Sequence, residues 1–167
     1  MTVKTDITDP LISINQRLTR LEAVDAIKTL KATYLMACDT KDPALMRDCF
    51  IDGELLIDYG PVGQFNHREQ LVEIFTDIGC HPHMLESHHG HNPIIELIDD
   101  HYAKGSWELA YQVLNSREKT LTQIAIIYRD EYCCVGGHWK ISASITQTLS
   151  TLVYDISNKQ PVLVHAA

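Results

Sequence analysis

Five of the nine histidines fall between His81 and His91, in the run CHPHMLESHHGHNP. Imidazole has the side-chain pKa nearest neutrality, so such crowding suits proton transfer or metal binding. If Leu85 to Leu97 is a strand, period-two alternation puts Ser87, His89 and His91 on one face and Glu86, His88 and Gly90 on the other. His88 and His89 therefore serve different sides. His89 and His91 offer two metal ligands, but a zinc centre needs a third imidazole, thiolate or carboxylate brought in by the fold, and no metal is expected. His91 has the plainer option of bonding across the sheet or to the turn at Asn92-Pro93. His81 and His83 flank Pro82 in a loop expected at a pocket mouth.

Two further residues join this inventory. Tyr34 lies on the apolar stripe of a long helix, where a tyrosine is usually core with its hydroxyl satisfied by a neighbour. Asp39 falls at the end of the same helix, where a carboxylate opposes the helix dipole unless something pairs with it.

The elements that must position these groups follow from periodicity. Asp9-Pro10, or Ser13 with Gln16, starts a helix in which Leu18, Leu21, Val24, Ile27, Leu30, Tyr34 and Cys38 recur at three- and four-residue spacing, ending near Asp39. Asp42-Pro43 caps a short helix to Phe50, Asp52-Gly53 turns, and Glu54 to Tyr59 reads as a strand. After the loop Gly60-Pro61-Val62-Gly63, Asn66 and Glu69 offer a capping box for a third helix ending at Gly79. The pattern then becomes strand-like over Leu85–Leu97, Ala103–Asn115, Thr120–Cys134 and His138–Thr148, with turns at Asp99-Asp100, Asn115-Ser116 and Gly136-Gly137. Helices first and a strand meander last predict one α+β domain, residues 1–148, in which three N-terminal helices close the concave side of a curved antiparallel sheet. Residues 149–167 read as a tail that could add an edge strand or an oligomer contact.

A chain of 167 residues fits one domain with a real core. A formal charge of -8 argues against nucleic acid or an anionic membrane as partner, since both need a basic footprint. The sequence shows no apolar run of spanning length and no secretory signal, which predicts a cytoplasmic protein. The five cysteines include no C-x-x-C pair and read as small apolar residues. No nucleotide-binding glycine pattern, nucleophile elbow or phosphate loop is present, so no cofactor is expected.

Taken together, Leu21-Glu22-Ala23-Val24-Asp25-Ala26-Ile27-Lys28 leading to Tyr34-x4-Asp39, His88-His89-Gly90-His91-Asn92-Pro93, Gly105-Ser106-Trp107 and Gly137-His138-Trp139-Lys140-Ile141 resemble the SnoaL-like branch of the nuclear transport factor 2-like (cystatin-like) cone fold. The resemblance spans roughly residues 18–148. Within that branch it is similar to the bile acid 7α-dehydratases and, more distantly, the scytalone dehydratases. It implies a conical pocket in which Tyr34, Asp39 and His88 meet: His88 as base toward a proton α to a carbonyl, Asp39 as its orienting partner, Tyr34 as hydrogen-bond donor to the enolate oxygen. Where the bile acid enzymes are expected to carry a carboxylate, four residues after the tryptophan, this chain has Tyr111. Tyr59, Phe65, Met84, Trp107, Tyr111, Tyr128 and His91 are the candidate substrate contacts, each with plain structural packing as its alternative. The resemblance thus implies a cofactor-independent dehydratase-like lyase or isomerase acting on a small hydrophobic cyclic substrate, and a homo-oligomer, dimer or trimer. Dehydrohalogenation or a cyclase step on the same dyad, and a binding or assembly protein that lost the chemistry, are the other readings. Fold alone does not choose among them.

Overall fold

The structure, a computed structural model, describes residues 10–166. The expected cap at Asp9 lies outside the described residues. Helix α1 (Pro10–Thr40) is followed by α2 (Pro43–Asp48), β1 (Glu54–Asp58), a 3-10 turn (Gly60–Val62), β2 (Gln64–His67), α3 (Arg68–Ile78), and the long strands β3 (Met84–Leu97), β4 (Tyr102–Asn115), β5 (Thr120–Val135) and β6 (His138–Asp155), with β7 (Val162–Ala166) last. The expected helices and strands are present, within a residue or two at most ends. The sequence reading had no counterpart for β2, and it stopped β6 at Thr148. The cap of α3 also sits one residue later than expected, because Gln70 Oε1 accepts the backbone N–H groups of Asn66 and His67.

The sheet order is β2-β1-β6-β5-β4-β3, so β2 and β3 are edges and the sheet stays open. Pairing is antiparallel except between β1 and β6, which run parallel with Leu56 opposite Ala143. On the same side of β6, β7 pairs farther along, Asp155 opposite Val162 and Leu152 opposite Ala166. Register shifts interrupt β5–β6 after Ala125 and after Glu131, and β3–β4 between His91 and Ile94. Each such bulge bends its strand and adds twist, which curls a sheet of long strands around the helices.

Helix α1 fills the concave side. Ile27, Lys31, Tyr34 and Cys38, spaced by four, three and four residues, are buried against the sheet. The first half of the expected apolar stripe is not: Leu18 and Leu21 are exposed, since the sheet meets only the second half of the helix. At the contact with β3 the Leu35 side chain packs closely on the strand backbone. A Cβ on Gly90 would lie 2.7 Å from Leu35 Cδ1. Glycine at this point lets the end of α1 settle onto β3. Gly90→Ala is expected to cost about 1–3 kcal/mol by overpacking, and in urea denaturation the Gly90→Ala/Leu35→Ala pair should lose less than the sum of its single variants.

Candidate active site

That approach sets Asp39, in the last turn of α1, beside His88 of β3. Asp39 Oδ1 lies 2.6 Å from His88 Nδ1, and Asp39 Oδ2 accepts the His88 backbone N–H at 3.1 Å. An ionised carboxylate only accepts, so Nδ1 carries the hydrogen and the ring's lone pair falls on Nε2. Among the described residues Nε2 has no hydrogen-bond partner and no fully buried side-chain nitrogen or oxygen lacks one, so Nε2 opens to accessible space. Burial works against ionisation of Asp39, but the ring and backbone hydrogen bonds from His88, the His88 charge and that of Lys41 outweigh it and hold the carboxyl below its usual range. A carboxyl with a lowered folded pKa stabilises the fold above its unfolded value, about 3.9, and that contribution is lost as pH falls through the folded value. Asp39→Asn should therefore be less stable than the parent at neutral pH, with the gap closing below about pH 4 in denaturation curves taken across pH.

A second polar group borders the dyad. His88 stands opposite Tyr111 in the β3–β4 register, and their rings lie 4.6 Å apart. The Tyr111 hydroxyl donates to Glu86 Oε1 at 2.8 Å, and Lys41 pairs with the other oxygen of Glu86. Burial, with the negative charge of Asp39, pushes the Tyr111 hydroxyl up, so it stays neutral.

Deeper in the cone lies a network that sequence reasoning missed. Lys31 and Asp130, 1% and 2% exposed, form an ion pair at 2.8 Å. Burial pushes the Lys31 ammonium down, opposed by the attraction and hydrogen bond of Asp130. Asp130 also accepts from Tyr132 at 2.8 Å and Ser144 at 2.7 Å, Ser144 accepts from Tyr59 at 3.2 Å, and Tyr59 accepts from Tyr34 at 3.0 Å. Since Asp130 can only accept, the chain of hydroxyls points toward it. The signal was available: Lys31 interrupts the apolar stripe four residues after Ile27, and Asp130 sits between Tyr128 and Tyr132 on an inward-facing strand side.

The structure brings Tyr34, Asp39, His88 and Tyr111 to the concave side. Tyr59, Trp107 and Tyr128 line the same interior with polar or ring contacts: Trp107 donates to Tyr132 at 2.9 Å, and the Lys31 ammonium stands 3.6 Å from the centre of the Tyr128 ring. Phe65 packs against the core from β2, and Met84 begins β3, two residues before Glu86 on the His88 side. His91 is elsewhere. It faces outward, half exposed, with Nδ1 3.5 Å from Glu108. His81 and His83 stack at 5.1 Å in the loop before β3, and Ser87 bonds His89 at 2.8 Å on the outer face. Cys38 and Cys49 are buried and their thiols are pushed up by burial, to about 12 and about 11; Cys80, Cys133 and Cys134 are half-buried. Among the described residues no cluster of three His, Cys, Asp or Glu is placed to hold a metal, and no helix is long and apolar enough to cross a membrane. Open clefts of about 320, 850 and 390 Å³ are present among the described residues, and none of these is lined by Asp39 or His88.

Comparison with known proteins agrees with this architecture. The chain superposes on a type 2 hexachlorocyclohexane dehydrochlorinase with a TM-score of 0.74, at 18% identity, over 89% of this chain and 95% of that one. A proposed scytalone dehydratase from Novosphingobium aromaticivorans gives 0.73 at 19% identity, over 89% and 97%. A protein of unknown function with a cystatin-like fold from Nostoc punctiforme gives 0.56 at 20% identity, over 73% and 87%. At such identities the likeness is one of fold. Among curated protein sequences none is significantly similar to this chain. Residues 19–144 match the model of the SnoaL-like domain, which spans both Asp39 and His88, and the chain belongs to that family.

Proposed function

We propose that the protein is a cofactor-independent lyase or isomerase that removes a proton α to a carbonyl of a small hydrophobic cyclic substrate. The observation that carries this reading is the Asp39–His88 pair, with Nδ1 held and Nε2 free. His88 Nε2 takes the proton, the C–H electrons pass into the enolate, and Asp39 stabilises the imidazolium that forms. Return of the electrons either reprotonates the substrate at another carbon or expels a hydroxide or halide from the β carbon. Tyr34 serves the enolate oxygen by turning its O–H away from Tyr59. That step gives up one neutral hydrogen bond, about 1 kcal/mol, for a charge-assisted one of about 1.5–3 kcal/mol.

The test is solvent deuterium exchange, followed by proton NMR, across a panel of cyclic hydroxy-ketones, enones and halogenated rings. Exchange or elimination that depends on His88 supports the reading. Binding with no exchange and no turnover across the panel would replace it with that of a ligand-binding protein. One observation favours a non-catalytic reading: Tyr34, Trp107, Tyr128 and Tyr132, all buried, together with the partly buried Tyr59, fill the interior.

A further inference from the structure

Helix α1 ends in a Schellman motif. The Asp42 N–H bonds the Ala37 carbonyl at 2.9 Å, and the Lys41 N–H bonds that of Cys38 at 3.3 Å. The residue between helix and exit, Lys41, takes φ 59°, a conformation that favours glycine. A lysine at a glycine position bears a local backbone cost, so its side chain is where to look for a return. Lys41 reaches across to β3 and pairs with Glu86, and both side chains are largely buried, 21% and 11% exposed. Glu86 stands two residues before His88 on the same strand face and holds the hydroxyl of Tyr111, whose ring rests on His88.

We propose that Lys41 and Glu86 are positioning residues of the dyad: their ion pair joins the end of α1 to β3, fixes Tyr111 against the imidazole, and sets the charge against which His88 gains and loses its proton. His88 touches Asp39 and the Tyr111 ring; the other titratable groups around the dyad are Lys41 and the Cys38 thiol on α1, Glu86 on β3, and Cys80, after α3, beside Lys41. Tyr111 and Cys38 stay neutral because burial pushes both up. The formal charges are then Asp39, Glu86 and Lys41. Losing Glu86 leaves one negative against one positive; losing Lys41 leaves two negatives. The imidazolium is disfavoured in the first case and favoured in the second.

The proposal rests on the reading of His88 as base, but its test needs no substrate. In protein with ¹³C-labelled histidine, the His88 ring signal, assigned by its loss in His88→Gln, is followed against pH. Glu86→Gln, whose amide oxygen still accepts from Tyr111, should move its midpoint down by about half a pH unit or more. Lys41→Gly, which suits the backbone at φ 59°, should move it up by a similar amount. Lys41→Gln provides the second cationless variant, with the same expected direction. Shifts in one common direction, or none beyond about 0.2 unit, would overturn the proposal. Opposite shifts in a protein that turns over nothing would retire the lyase reading and keep the role of the pair. Turnover with no shift would do the reverse.

Discussion

His88→Gln is expected to lower proton abstraction by about 10²–10⁴-fold while the fold stays intact. Glutamine cannot cycle a proton near neutrality, yet it leaves the second grip of Asp39 in place, because that bond comes from the backbone N–H of residue 88. The midpoint of thermal unfolding should therefore move little. The loss should appear in kcat and in deuterium exchange rather than in KM, since a base that acts only in the transition state contributes little to ground-state binding. Asp39→Asn tests the same pair from the other side: its amide can donate to Nδ1, which would move the imidazole hydrogen to Nε2 and remove the free lone pair. Full exchange rates in His88→Gln would end the assignment of His88 as base.

How this arrangement was legible in the sequence depends on what each part rests on. Alternation along β3 separated His88 from His89 and His91, because a strand's period of two is local and needs no tertiary contact. The structure keeps that separation, with His88 on Asp39 and His91 against Glu108 on the outer face. Helix periodicity found the stripe that carries Tyr34 and Cys38, but not where along the helix the sheet begins, so Leu18 and Leu21 remain exposed. β2 was hidden because Gln64–His67 is four residues long and runs directly into the first turn of α3. The parallel β1–β6 pair joins segments far apart in the chain, which no local pattern encodes. Glu86 and Lys41 look like ordinary surface charges in sequence. Alternation puts Glu86 on the His88 face, but no local pattern encodes its pairing with Lys41 across from α1.

Lys31→Met is expected to cost about 3–5 kcal/mol, a large part of the stability of a domain whose total is about 5–15 kcal/mol. Methionine fills much of the same space, so the cost is chiefly electrostatic: Asp130, 2% exposed, would keep its charge with only the hydroxyls of Tyr132 and Ser144 to compensate. The Lys31→Met/Asp130→Asn double variant should recover part of the loss, since a neutral amide needs no countercharge and its oxygen still accepts a hydrogen bond. Urea denaturation of the two variants measures both effects. A Lys31→Met variant within about 0.5 kcal/mol of the parent would mean that Asp130 is not held there as a charge. The consequence reaches the surface of the cone. Asp130 aligns Ser144, Tyr59 and Tyr34 in one direction, and the Lys31 ammonium sits over the Tyr128 ring, so the pair fixes the aromatic wall from behind. A buried ion pair is a poor way to gain stability compared with apolar packing. Its presence at the root of the hydroxyl chain is accounted for by the orientation it imposes on Tyr34, and loss of Lys31 should therefore loosen Tyr34 as well as the fold.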